Sequence, residues 1–298
     1  MAITLIAVVV ALALGHAAPG FARSVRGYGW FAGWLRWLDE RFPEDGFWRG
    51  RYGIVLALAP PLLVVLLFQF ALDEPLLGFA GLVFAIAVLF YAWGPRDLDV
   101  DVDAVLAADD PAARRDAAAR LGAESTDAPA LVTAVMRGAQ RRWFGVLFWF
   151  LLLGPFGALL YRLAQLAGDG EATALLPAAT ASGARWLHAL LDWPVAQLMT
   201  LAMALVGNFD TVVGAWKEHG GAGFDLEAGF LVAAGRASVR AEVAEDVRDY
   251  VEEGVSGTAI AVRMGELPEL RDAMGLAWRI LLLWLAVLAL FVLAGWVA

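Results

Sequence analysis

The stretch RRWFGVLFWFLLLGPFGALLYR, residues 141–162, decides the fold class of this protein. Between its flanking arginines, residues 143–161 carry no charge, and their length is close to the ~20 residues that a helix needs to cross a bilayer. At the centre stands Gly154-Pro155, a pair that weakens helices in water. In lipid, proline is tolerated because neighbouring helices can satisfy the carbonyl that it frees. The pattern therefore predicts a kinked membrane helix packed against other helices.

The composition of the whole chain also indicates that much of it lies in lipid. Of 298 residues, 61% are hydrophobic and only 18% are charged, and the mean hydropathy is +0.67. Soluble domains carry about a quarter charged residues. The net charge of −9 argues against nucleic acid as a partner, because phosphate binding needs a basic surface. The chain has no cysteine, which excludes disulfides and thiolate chemistry.

Five stretches are predicted to be membrane helices. They are residues 1–15, 53–72, 75–93, 143–161 and 280–298. They lack the strict alternation of barrel strands, so the predicted fold class is all-α, a polytopic membrane helix bundle with helical cytoplasmic loops. The first stretch could instead be a cleaved signal peptide. Since no Lys or Arg precedes Arg23, we expect a retained helix.

The stretch LLDWPVAQLMTLAMALVGNFD, residues 190–210, is ambiguous. Only about fourteen apolar residues follow Pro194, and at 1.5 Å per residue they span about 21 Å. This is short for a hydrocarbon layer of about 30 Å. The stretch could be a re-entrant or interfacial helix, or the second half of a helix broken before Pro194. We favour a packed helix at membrane depth.

The distribution of arginine predicts the topology. Residues 16–52, an aromatic amphipathic segment, hold six Arg, and residues 94–142, an acidic helical loop, hold seven. The positive-inside rule places both segments in the cytoplasm and the turn at Asp73-Glu74 outside. Residues 211–279 are expected to be helical and cytoplasmic as well, which requires an additional crossing before residue 208.

Three segments outside the predicted spans have helical patterns. Residues 28–42 place their large apolar side chains on one face, which predicts either an interfacial amphipathic helix or an ordinary packing face. Residues 104–121 and 240–253 mix small residues with charges and are expected to be solvated helices.

The Gly-Pro segment is the first candidate site. Gly154 and Ala158 form a small-xxx-small pair that lets another helix approach closely, with Tyr161 and Arg162 one turn further on the same face. The predicted helix-packing residues are Gly154, Pro155, Gly157 and Ala158. The kink could also form a ligand pocket bounded by Tyr161 and Arg162, so these two residues and Arg96 are candidates for cofactor binding. A simple packing joint is the alternative.

The second candidate site is the alternating series Asp97, Asp99, Asp101 and Asp103. In an extended segment all four carboxylates would project to one face, and such hard oxygen ligands suit Mg²⁺. In a helix Asp97 and Asp101, four residues apart, would be neighbours, and these two are the metal candidates, with Arg96 neutralising part of the charge. A solvated acidic turn is the alternative.

The sequence has few other motifs for catalysis or for metal or phosphate binding. The histidines, His16, His188 and His219, have no zinc-ligand spacing, and the single lysine, Lys217, lies in no phosphate-binding loop. We therefore predict no catalytic residue and expect no cofactor.

Three blocks of the sequence resemble the AmpE family of bacterial inner-membrane proteins. They are residues 94–110, 141–163 and 190–210, in matching order and spacing. The resemblance implies an inner-membrane protein with a regulatory role in β-lactamase induction and peptidoglycan recycling. Its partners would be the lipid bilayer and a protein of cell-wall signalling.

The element GPFGALLYR is also similar to the cobalamin-pathway adenosylcobinamide-phosphate synthases. This similarity implies an alternative function, a membrane enzyme with Tyr161, Arg162 and the Asp97–Asp101 acids near Mg²⁺ and a nucleotide. The polar stretch that follows the arginine in that family is replaced here by LAQLAGDG, which favours regulation. A solute transporter is a third class. It would need ionisable residues inside the spans, and the five predicted spans have essentially none.

Overall fold

The protein is all-α, as the sequence predicts. The computed structural model describes residues 2–17, 25–42, 46–72, 78–94 and 97–294, and no residue in these ranges forms a β-strand. The helices are α1 (Ala2–Ala17), α2 (Gly29–Arg41), α3 (Ile54–Ala71), α4 (Gly78–Ala92), α5 (Leu98–Leu106), α6 (Pro111–Leu121), α7 (Ala128–Ala139), α8 (Gly145–Leu153), α9 (Pro155–Asp169), α10 (Ala178–Val206), α11 (Phe209–Glu218), α12 (Gly229–Glu252), α13 (Gly257–Met264) and α14 (Pro268–Leu293).

Among the described residues, three helical segments are long and apolar enough to cross a membrane. They are Arg51–Ala71, Ala178–Val206 and Pro268–Leu293. Two shorter apolar helices, Leu5–Gly15 and Phe79–Ala92, fall within the predicted spans at residues 1–15 and 75–93. This set of helices suggests a membrane protein. The predicted outer turn at Asp73-Glu74 lies outside the described residues.

Helix α10 corrects the prediction for residues 190–210. The helix begins at Ala178, has 29 residues, and contains Pro194 in its interior. At 1.5 Å per residue it is about 44 Å long, which is sufficient for a crossing. The prediction of a short helix was wrong because the polar residues before Pro194 interrupt the apolar run without ending the helix. Two of them, His188 and Asp192, are buried in the structure.

The Gly-Pro segment forms two helices and not one kinked helix. Gly154 has φ +69° and ψ −153°, a conformation that L side chains rarely adopt, and its N–H closes α8 by donating to Phe150 O at 2.8 Å. Pro155 is the first residue of α9, a position where its missing N–H costs nothing. The prediction of a single helix over residues 143–161 was therefore wrong.

The side chain of Gln69 satisfies the backbone at this break. Its Nε2 donates to Leu153 O at 3.2 Å, and its Oε1 accepts from Phe156 N at 3.0 Å. A Cβ at Gly154 would lie only 3.0 Å from the same Nε2. One amide from α3 thus pairs the last carbonyl of α8 and an early N–H of α9, groups that an apolar environment would otherwise leave unsatisfied.

The helix predicted over residues 104–121 is also divided. Helix α5 ends at Leu106, and α6 begins at Pro111. The carboxylate of Asp110 caps α6 by accepting from Ala113 N at 3.0 Å. Proline at the first helical position combined with an aspartate N-cap is a strong helix start, and it separates the two segments.

Residues 28–42 are predicted to form either an interfacial helix or a packing face, and the contacts of helix α2 favour the packing face. Phe31, Leu35 and Leu38 are buried, and Trp34 Nε1 donates to Ala57 O at 3.0 Å. The large apolar side chains that the pattern aligns on one face thus contact the protein itself. Exposed aromatic side chains, Trp30 and Trp37, lie on the other side of the helix.

The chain divides into two compact units. The first comprises residues 1–96, 141–192 and 289–298, and the second comprises residues 97–140 and 193–288. In the first unit, α9 packs against α3, α4 and α8, and α1 packs against α4. In the second unit, α12 packs against α7 and α11, and α5 packs against α6.

A substitution at Gly157 can test the close approach of α8 and α9. A Cβ at this position would lie 2.0 Å from Trp149 O and 2.7 Å from Leu153 Cβ, so Gly157→Ala is expected to destabilise the protein by about 1–3 kcal/mol through overpacking. The control is Gly275→Ala in α14, where a Cβ meets nothing within 4 Å; it should stabilise by up to about 1 kcal/mol. The free energy of unfolding is measured by SDS titration in mixed micelles. Equal stability of Gly157→Ala and the wild type would contradict the packing.

Candidate functional site

Buried polar side chains surround Tyr161 and Arg162 in the first unit. Both residues lie on α9, and their exposed fractions are 0% and 1%. Consecutive helical positions point about 100° apart, so the two side chains reach different neighbours. Tyr161 contacts α10, and Arg162 contacts the carboxyl end of α4.

Tyr161 belongs to a buried group with Asp192 and His188. Its hydroxyl donates to Asp192 Oδ1 at 2.5 Å, and its ring centroid lies 5.9 Å from that of His188. His188 Nε2 is 3.3 Å from Asp192 Oδ2, although the two atoms lack the alignment of a hydrogen bond. Gly145 on α8 leaves the room for the phenol, since a Cβ there would lie 2.0 Å from Tyr161 Cζ.

Arg162 is a buried charge without a carboxylate partner in the described part of the chain. Its Nε donates to Ala92 O at 2.7 Å and its Nη1 donates to Gln165 Oε1 at 3.0 Å, whereas Nη2 has no hydrogen-bond partner there. A guanidinium stays protonated in proteins. The negative end of the α4 dipole at Ala92 therefore compensates part of the positive charge of Arg162.

The carboxyl end of α4 is capped by further side chains. Arg26, also buried, donates from Nε to Phe90 O at 2.9 Å and from Nη1 to Gly94 O at 3.1 Å. Tyr28 donates its hydroxyl to Tyr91 O at 2.7 Å, and burial raises the pKa of the Tyr28 phenol well above its ordinary value, so that it remains a donor. These bonds satisfy carbonyls that a helix end leaves without intrahelical partners.

An ion pair between Arg141 and Asp169 lies on the same unit, and both side chains are partly exposed. Arg141 belongs to a π-helical turn, Gln140–Phe144, which precedes α8. Such turns are rare and are frequent at functional sites. The pair adds one charge of each sign to the polar residues of this unit.

The predicted helix-packing residues lie at the start of α9. Gly154 is the N-cap residue and Pro155 the first helical residue, while Ala158 is completely buried. Gly157 faces Trp149 O of α8, and its small size is required there. Since the break precedes Pro155, Gly154 and Ala158 do not form a stripe on one continuous helix.

The acidic series does not form the array that an extended segment would give. Asp97 is the N-cap residue of α5, and the next three acids lie in its helix. Asp101 is buried and Asp103 is exposed, whereas Asp99 accepts from Trp278 Nε1 at 3.1 Å. Among the described residues no three acidic or histidine side chains cluster as a metal site would need.

The Mg²⁺ site and the cofactor-binding role of Arg96 remain predictions. A two-carboxylate Mg²⁺ site at Asp97 and Asp101 would belong to the second unit, whereas Tyr161 and Arg162 belong to the first. The candidate Arg96 lies outside the described residues. No protein-family model, curated protein or solved structure matches this chain.

The sequence did not identify Arg26, His188 or Asp192 as parts of the site. His188 and Asp192 are four residues apart, a helical spacing that was detectable, but a predicted break before Pro194 obscured it. Ionisable residues inside a membrane span are costly and mark functional sites by default. A Tyr-Asp-His group can hold or transfer a proton, and a buried guanidinium with a free N–H can bind an oxyanion.

The bond between Tyr161 and Asp192 is testable with a double-mutant cycle. The single variants Tyr161→Phe and Asp192→Asn and the double variant should show a coupling of about 1–3 kcal/mol in the free energy of unfolding, because a buried bond to a carboxylate is strong. As a control, Tyr161→Phe and Thr200→Val should be additive within about 0.5 kcal/mol, since Thr200 bonds to Ala196 O of its own helix. Additivity of the first pair would show that the bond contributes nothing.

Proposed function

We propose that this chain is a multi-pass inner-membrane protein of the AmpE type, which regulates β-lactamase induction in connection with peptidoglycan recycling. One observation carries the proposal: residues of the three blocks that resemble AmpE come together around Tyr161 and Arg162. Tyr161, in residues 141–163, bonds to Asp192, in residues 190–210. Trp149 Nε1 also donates to Leu191 O at 3.1 Å.

The first block reaches the same place through Gly94. A Cβ at Gly94 would lie 3.2 Å from Arg162 Nη2, and the residue has φ +117°, which favours glycine on both counts. A resemblance that is spread along a sequence gains weight when its residues are in contact in the fold. The proximity of the three blocks supports the resemblance to AmpE, because three unrelated chance similarities would have no reason to lie close together in the fold.

The inner-membrane part of the proposal rests on the apolar helices and the arginines. In the part of the chain that the structure describes, three segments can cross a bilayer by length and composition, and the arginine-rich segments 16–52 and 94–142 fit the cytoplasmic side. Helical spans are typical of inner membranes, whereas bacterial outer membranes contain barrels. A protein partner in cell-wall signalling completes the proposal.

The regulatory role is tested by deletion of the gene and by measurement of β-lactamase activity after exposure to a β-lactam. We expect altered induction in the deletion strain and restoration by the wild-type gene. Arg162→Met should fail to restore induction, because it removes the bond to Ala92 O, whereas the exposed Arg248→Gln should restore it. The amount of each variant in the membrane fraction is compared by immunoblot. Normal induction in the deletion strain would refute the regulatory role.

A second candidate function is a membrane enzyme of the adenosylcobinamide-phosphate synthase type. The observation that favours it is Arg162 Nη2, a buried donor next to Gly94 that has no hydrogen-bond partner among the described residues. Such a donor is suited to an anionic ligand such as a nucleotide phosphate.

This alternative predicts that the detergent-purified protein binds Mg²⁺-ATP or a corrinoid, and that Arg162→Ala abolishes binding. Isothermal titration calorimetry measures both ligands, and Arg248→Gln is the matched control that should bind as the wild type does. If neither ligand binds the wild-type protein, the enzyme alternative is excluded.

A further inference from the structure

A groove runs between α7 and α12 in the second unit, remote in sequence from Tyr161 and Arg162. It consists of two adjoining cavities of about 400 and about 440 Å³. Each has the size of a small-molecule binding pocket. Pro129 and Arg236 line both cavities, so the two are continuous along the helix pair.

The first cavity is apolar. Its wall is formed by valines of both helices, Val132, Val239, Val243 and Val247. Val132 and Val239 are buried, whereas Val247 is 36% exposed at the outer edge. The valines of α12 recur every four residues and so lie on one face of the helix, which leaves an open apolar strip beyond the packed part of the unit.

The second cavity is polar. Its lining includes Arg137, Arg236, Ser125 and Thr133. The hydroxyl of Ser125 donates to Asp127, and that of Thr133 donates to Pro129 O at 2.7 Å, so both hydroxyl protons are already engaged. The guanidinium groups are therefore the free donors of this cavity. Two carboxylates, Glu124 and Asp127, also line it.

Three arginines flank the groove without ion pairs in the described part of the chain. They are Arg137 and Arg236 at the polar cavity and Arg240 at the apolar cavity. Arg236 and Arg240 are one turn apart on the same face of α12. Three carboxylates also line the two cavities, so the formal charges of the groove balance, but the three guanidinium groups keep donors that no ion pair of the described residues engages.

We propose that this groove binds a phosphate-bearing amphiphile, with its hydrocarbon part against the valines and its phosphate at Arg236 and Arg137. The planar guanidinium matches phosphate geometry, and an apolar cavity beside one with unpaired guanidinium groups is complementary to such a molecule. Glu269, in the first turn of the candidate span Pro268–Leu293, lines the apolar cavity. The groove thus adjoins the end of a helix that can cross a bilayer. The proposal is independent of the regulatory role.

The test uses the full chain in nanodiscs of phosphatidylcholine and a dansyl-labelled dodecyl phosphate as the probe. We expect saturable binding above that of empty nanodiscs. The double variant Arg137→Gln/Arg236→Gln should bind at least about tenfold more weakly, because charge-assisted hydrogen bonds are lost. Arg248→Gln, on the same helix but outside the groove, should bind as the wild type does. Unchanged affinity in the double variant would overturn the proposal.

A second variant tests the apolar half. Ala244 lines the apolar cavity, so Ala244→Trp should fill it and weaken binding, while circular dichroism and gel filtration verify the fold. A dansyl-labelled dodecanol, which lacks the phosphate, should bind no more to the protein than to empty nanodiscs. Equal binding of the alcohol and the phosphate would also overturn the proposal.

Competition distinguishes the source of the ligand. Displacement of the probe by unlabelled dodecyl phosphate supports a free amphiphile, and displacement by phosphatidic acid incorporated in the nanodisc supports a membrane lipid. If inorganic phosphate displaces the probe as well as dodecyl phosphate does, the apolar cavity contributes nothing and the proposal fails.

Discussion

The amide of Gln69 resolves the main constraint on this chain, a backbone break inside its most apolar segment. A helix that ends at Leu153 and restarts at Pro155 leaves carbonyl and N–H groups without intrahelical partners, and in apolar surroundings each such group costs several kcal/mol. Gln69 pairs with Leu153 O and Phe156 N at once. The break can therefore exist, and α9 takes a direction that a continuous helix would not allow.

The direction of α9 determines where the polar side chains of the first unit lie. Tyr161 meets Asp192 on α10, and Arg162 meets the carboxyl end of α4 at Ala92. A buried guanidinium without a carboxylate is unfavourable unless other groups compensate it. Here the helix end and Gln165 do so, and this explains how an arginine with an exposed fraction of 1% can be stable in the fold.

The all-α class and the candidate membrane spans near residues 53–72 and 280–298 could be predicted because they depend on local hydrophobicity. The full length of α10 could not, since His188 and Asp192 look like a boundary until Tyr161 is known to lie opposite. The role of Gln69 was also beyond prediction, because its partners are more than eighty residues away. Tyr161 and Arg162 could be chosen as candidates from the Gly-Pro segment, whereas their partners depend on tertiary packing.

The charge of the buried Arg162 and the charges of the groove arginines have different roles. Arg162 is buried and capped by backbone and amide oxygens, so its charge is part of the folded structure and its removal must disturb the end of α4. Arg137 and Arg236 are exposed, and no carboxylate of the described residues pairs with them, so replacement there removes charge without leaving a buried group unsatisfied. For this reason the groove can be tested by binding alone, whereas any variant of Arg162 needs a measurement of stability beside that of function.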